Sequence, residues 1–190
     1  QVRLEWVLPV LTTRPGSSET LAYVVSEEDS LDDLPFAMLE KNWLARRLAA
    51  TEVKQGDIFR PTFTQSHFHL TGHYNGLGKL EDLWFRQEGD GQTNYWPRRI
   101  FINTCGPAGE SARVTERYGA LLTALSNGTD LALTHRLRIS DWAASVISKR
   151  YYQTDASKPV SERAREATQY VRRMFEHPAH WAGFEVITGL

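Results

Sequence analysis

Short apolar runs alternate along this chain with longer segments of helical period. Leu21-Ala-Tyr-Val-Val25 is rich in β-type residues and predicts a strand. Residues 31–50 carry helical periodicity, with the helix starting near Pro35, whose fixed φ suits a first helical turn. Residues 51–62, with Gly56 and Pro61, predict a loop. Residues 63–71 alternate polar and apolar side chains, the pattern of a half-buried strand. Residues 72–78 are glycine-rich and are expected to form a loop at that strand's end. Residues 87–97 are a turn-rich connection.

The second half repeats the alternation. Arg99-Ile-Phe-Ile-Asn103 is a short apolar run bounded by turn signals, the mark of a buried strand, and Thr104-Cys-Gly-Pro-Ala-Gly109 is expected to turn after it. Residues 111–125 predict a helix with Leu121, Leu122 and Leu125 on one face, stopped by Asn127-Gly128. Residues 130–134 predict a strand. Ser140 is the expected N-cap of a helix reaching Tyr152. A last helix is expected from Ser161 to about Phe175, with Arg163, Arg165, Arg172 and Arg173 on its solvated face, and a final strand over 184–187. Strands alternating with helices argue for an α/β fold with a mostly parallel sheet. Functional groups in such sheets gather at the carboxyl ends of strands. His73 and Cys105 both fall just past such an end.

Composition changes this picture little. The chain of 190 residues is expected to be one domain, with 41% hydrophobic and 24% charged residues. A formal net charge of −1 gives no global field toward nucleic acid or an anionic membrane. No apolar run approaches the roughly 18 residues that span a bilayer. No signal-peptide pattern opens the chain, so the expected compartment is the cytoplasm. The first residue is Gln1 rather than Met, and the C-terminal part of a longer polypeptide, or a processed product, is expected.

The single cysteine cannot form an internal disulfide, so Cys105 is either buried and inert or a reactive thiol. A thiol attacks a carbonyl only as thiolate, which at neutral pH needs an imidazole or a positive helix end nearby. Cys105 precedes the helix expected from Ser111, and Gly106 and Gly109 let backbone N–H groups approach a substrate oxygen. His73 stands among small neighbours, Gly72 and Asn75-Gly76, which leave room for a peptide.

Taken together, Ser66-His-Phe-His-Leu-Thr-Gly-His-Tyr-Asn-Gly76 and Arg99-Ile-Phe-Ile-Asn-Thr-Cys-Gly-Pro-Ala-Gly109 resemble the paired signature of CHAT domains, caspase- and separase-related peptidases often attached to TPR repeats. Leu31-Asp-Asp-Leu-Pro-Phe-Ala-Met-Leu39, Leu131-Ala-Leu-Thr-His-Arg-Leu-Arg-Ile-Ser-Asp141 and His177-Pro-Ala-His-Trp-Ala-Gly-Phe-Glu-Val-Ile187 are similar to three further family segments, in order. The resemblance covers residue 20 to the end. It implies a caspase-like three-layer sandwich with a mostly parallel central sheet flanked by helices. It implies a cysteine endopeptidase in which His73 and Cys105 form the catalytic pair. Backbone N–H groups of Tyr74 and Gly106 would hold the oxyanion. Asp141 would favour a basic residue before the cut, or Arg138 an acidic one. Asp141 has a second reading, as a helix N-terminal carboxylate stabilised by the dipole. No cofactor and no metal are implied. The expected partners are a protein substrate and a regulatory partner or upstream TPR-like or sensor domain, with no direct nucleic-acid or membrane binding. Regulated proteolysis in antiviral defence or cell death is the family context. The chain departs from the family at Tyr74, where a glycine is usual, and at Gly106, where an acidic residue is usual.

Two other readings compete. One is a catalytically silent interaction module on the same fold. The other is metal or nuclease chemistry at the His67, His69 and His73 pattern, with Tyr151 or Tyr152 as nucleophile. Positions 67 and 69 share a strand face and could bind one ion, but no acidic cluster follows at ligand spacing. The blander expectation is that His67 and His69 support the loop and the tyrosines pack within a helix.

Overall fold

A computed structural model of the chain describes residues 21–25, 34–52, 66–73, 97–105, 121–122, 124–126, 128–136 and 139–188. Six strands form one sheet: β1 (Leu21–Val25), β2 (Thr51–Glu52), β3 (His67–His73), β4 (Arg99–Cys105), β5 (Leu131–His135) and β6 (Phe184–Thr188). Their order across the sheet is β2-β1-β3-β4-β5-β6. Every neighbouring pair is parallel except β5 and β6, which run antiparallel. The fold is therefore α/β with a mostly parallel sheet, as the alternation of elements predicted. Among the described residues no helix is long and apolar enough to cross a membrane.

β4 is buried on both faces, so its core is a continuous apolar run rather than an alternating one. Ile100, Phe101 and Ile102 of β4 are all at most 1% exposed, which makes β4 the axis of the core. On one face lie α1 (Pro35–Leu48) and α2 (Asp141–Gln153), packed on each other and on β3 and β4. The amphipathic α3 (Val160–Met174) packs beside α2 and β6 through Ala164, Ala167 and Val171. These residues recur every three to four positions, so they form one stripe along the helix. The helical residues 121–122 and 124–126 belong to the crossover from β4 to β5. That crossover steps across the sheet in the direction opposite to β1-α1-β2.

Local chemistry fixes the helix ends. Ser140 caps α2, its hydroxyl accepting from the Ala143 N–H at 3.3 Å, as predicted. Pro35 occupies the first turn of α1, also as predicted. Gly128 closes the 121–126 helical segment with φ +105, a conformation closed to most side chains, and Thr129 N–H bonds the Ala124 carbonyl at 3.0 Å.

Several boundaries differ from expectation. β3 and β4 each run two residues further than predicted, so Gly72-His73 and Thr104-Cys105 are strand rather than turn. Glycine and the small-residue sequence after it masked the continuation, because a central strand between two partners holds residues of weak β-propensity. Residues 51–52 pair with β1 instead of looping. Leu122 is 59% exposed while Leu121 is fully buried, so these leucines do not share a face. Adjacent helical residues lie about 100° apart, which separates them. Arg163 is buried rather than on the solvated side of α3.

Candidate active site

Positions 73 and 105 are register partners at the carboxyl ends of the two central parallel strands. Hydrogen-bonded strands lie about 4.8 Å apart, so the two positions are neighbours across a single strand boundary. Gly72, immediately before, takes φ 140, a backbone conformation that L side chains rarely adopt. Glycine accepts this φ, and β3 continues through it to His73. Tyr74, Gly106 and Arg138 lie outside the described residues.

Beneath this pair lies a buried polar network that the sequence reading did not single out. Side chains alternate along a strand, so positions 69 and 71 of β3 share a face with 101 and 103 of β4. On that face Glu40 of α1, 1% exposed, is received by three elements. The Asn103 amide donates to its two oxygens at 2.8 and 2.9 Å. Thr71 Oγ1 donates at 3.3 Å, and Ser148 of α2 donates to Oε1. Asn103 Nδ2 also reaches the Ala144 carbonyl at 3.2 Å. With Nδ2 committed as donor, Asn103 Oδ1 must accept, so the 2.7 Å bond to His135 Nε2 makes that nitrogen the protonated one. His135 packs its ring against Phe184 and Phe101.

His69, fully buried, completes the network. Its Nδ1 shares a 3.1 Å hydrogen bond with the Tyr152 hydroxyl. Its Nε2 lies 2.9 Å from Glu40 Oε1 without the alignment of a hydrogen bond. Burial, with Tyr151 and Glu40 nearby, holds the Tyr152 hydroxyl well above the usual phenol range, against the opposite pull of Arg163. Burial lowers the Lys149 ammonium, an effect that Glu40 and Asp141 partly offset. Asn103 stands two residues before Cys105, and Thr71 two before His73. The Glu40 network therefore ties β3, β4, α1 and α2 together just below the strand ends.

Asp141 sits in the first turn of α2, and its Oδ2 accepts from the backbone N–H of Phe36 at 2.8 Å. Leu34, the N-cap of α1, offers no side-chain acceptor, so Asp141 satisfies one of that helix's orphan donors from a distant part of the chain. The ring of Phe36 stacks on Trp142, centroids 5.9 Å apart.

His67 and His69 do not stand ready together for a metal. His67 Nε2 accepts from Arg99 Nη1 at 2.9 Å and its Nδ1 bonds Ser66 Oγ at 2.8 Å. Both nitrogens of His69 face Tyr152 and Glu40 as described. Among the described residues no group of three or more His, Cys, Asp or Glu side chains could hold a metal ion. His69 supports the sheet–helix interface, its ring set against Phe101 and Tyr152, and the loop it was expected to support lies outside the described residues. Tyr151 packs in the helical core, as expected.

The signal for Glu40 was available in the pattern. Ala37, Glu40 and Leu44 fall on one stripe of α1, so a carboxylate stood on an inward face. Asn103, two residues after Phe101 on an inward strand face, is its counterpart. No protein-family model and no curated protein matches the chain.

Proposed function

We propose that the chain is a CHAT-like cysteine endopeptidase domain with a caspase-like three-layer sandwich, and that His73 and Cys105 are its catalytic pair. The observation that carries this reading is their register: two residues of the right chemistry, 32 positions apart in sequence, stand side by side where parallel strands end. In the proposed reaction the Cys105 thiolate adds to the scissile carbonyl carbon, and backbone N–H groups of Tyr74 and Gly106 stabilise the oxyanion. The C–N bond then breaks as His73 gives a proton to the leaving amine, leaving an acyl-enzyme. His73 next takes a proton from water, whose oxygen attacks the thioester and releases the carboxylate and the thiol. Asp141 favours a basic residue before the cut. The domain acts on a protein substrate in the cytoplasm under the control of a partner or attached sensor domain.

Thiol reactivity tests the pair without knowledge of the substrate. Cys105 is the only cysteine, so alkylation of the folded chain reports it alone. The expected rate is that of a thiolate with a pKa below the free value of about 8.5. His73→Ala is expected to slow alkylation at neutral pH by about tenfold or more. An unchanged rate and pH profile would oppose the pairing.

A further inference from the structure

The helical layer carries a second feature, independent of the peptidase reading. α2 lies between α1 and α3, and Trp142 in its first turn meets a ring from each neighbour. Phe36 of α1 stacks on the indole, centroids 5.9 Å apart and planes at 20°. Phe175, the residue that ends α3, meets it at 4.8 Å and 72°. Phe175 in turn lies 5.0 Å from the His180 ring. The row of rings crosses the ends of all three helices, yet Trp142 remains 47% exposed. Leu39 of α1 and Tyr170 and Met174 of α3 are half-exposed as well. Among the described residues the other large apolar side chain this exposed is Leu122, which stands outside the layer. Exposed apolar surface gathered on one face marks an interaction site.

Charge sets the kind of partner. The three helices hold nine Lys and Arg against four Asp and Glu, a net of +5, in a chain whose formal net charge is −1. All four carboxylates are engaged. Glu40 is buried in the network against the sheet, and Asp141 accepts from the Phe36 N–H. Glu162 and Glu166 both pair with Lys158, which precedes α3. Arg46, Arg47, Arg165 and Arg173 are exposed, opposed in part by exposed Glu176 just past α3. Lys149 follows Trp142 by seven positions and so shares its side of α2. A partner that covers this face therefore supplies carboxylates as well as apolar side chains.

The ring geometry favours protein over nucleic acid. Bases stack on open ring faces. Here Phe36 comes to the indole from the α1 side and Phe175 from the α3 side, so Trp142 is hemmed in by rings. What it leaves to a partner suits aliphatic and aromatic side chains. We propose that the outer face of this layer docks an acidic amphipathic segment of a partner protein, with apolar side chains on Trp142, Tyr170 and Met174 and carboxylates on Lys149 and Arg173.

A random peptide library tests this. Peptides of roughly 15 residues, about four helical turns, are selected on the Cys105→Ala chain, so that cleavage plays no part and the outcome does not depend on the peptidase reading. Enriched peptides are expected to combine several Asp or Glu with Leu, Phe or Trp. Their affinity, read by fluorescence anisotropy, is expected to fall about tenfold or more in Trp142→Ser and about threefold or more in Arg173→Glu. Arg173 is exposed, so its substitution keeps the test clear of folding. Leu122→Ser and Arg136→Gln, outside the layer, leave the affinity unchanged, and a single-stranded oligothymidylate does not displace the peptides. No enrichment, enrichment of basic or uncharged peptides, unchanged affinity in both Trp142→Ser and Arg173→Glu, or displacement by the oligothymidylate would overturn the proposal.

Discussion

Asn103 donates its side-chain amide to both carboxylate oxygens of Glu40, at 2.8 and 2.9 Å, across the interface of β4 and α1. Both residues are at most 2% exposed. A buried network of this kind is costly to break by halves, because each removal strands the remaining partner away from water. Glu40→Gln turns an acceptor into a donor opposite Asn103 or Ser148 and is expected to cost about 2–3 kcal/mol. Asn103→Ala is expected to cost about 2–4 kcal/mol, since it strands Glu40 and His135 together. The two losses should not add. A double-mutant cycle in urea is expected to give a coupling of about 1 kcal/mol or more, and additivity would contradict the network.

Asp141 joins two roles that a pair of substitutions separates. Its carboxylate caps the α1 backbone at Phe36, so Asp141→Ala is expected to cost about 1–2 kcal/mol by denaturant titration. Asp141→Asn keeps an oxygen for that N–H and should retain most of the stability. In the proposed specificity role the same Asn variant loses its preference for Arg or Lys before the cut. A cleavage profile unchanged by Asp141→Asn would leave capping as the residue's role.

Tyr152 sets an alkaline limit on stability. Its hydroxyl is held well above the usual range, chiefly by burial. In the unfolded chain it ionises near about pH 10, while the folded chain keeps the proton. Above that pH the unfolded state binds fewer protons, so stability falls as pH rises. The contribution is whole below about pH 10 and is lost progressively above it. Tyr152→Phe is expected to flatten this fall between about pH 9 and 11 when urea midpoints are compared. The opposite slope from Lys149, lowered by burial, is common to both proteins and cancels. Equal slopes would contradict the buried-phenol assignment.

Much of the fold was legible because its elements are locally consistent. β1 follows a run of β-type residues, and α2 begins at a serine cap. What the sequence hid lay where tertiary contacts outweigh local preference. Gly72 and Thr104 look like the start of loops, yet pairing on both sides carries β3 and β4 through them. Arg163 looks like a solvated helix charge, since long charged side chains are seldom buried unless paired. Only the assembled sheet brings Asn103 to Glu40, and only packing of α3 on α2 encloses Arg163. The two candidate catalytic positions were legible as strand ends, but their register was not, because nothing local in either segment specifies which residues align.

The reading of His73 and Cys105 as a catalytic pair meets its most direct test in peptide cleavage. A peptide library is incubated with the wild-type chain and with Cys105→Ala, each with and without the native regulatory partner. Cuts made by the wild type and absent from Cys105→Ala are expected, clustered after Arg or Lys. Cleavage that persists in Cys105→Ala, or no Cys105-dependent cut even with the partner present, would contradict the account.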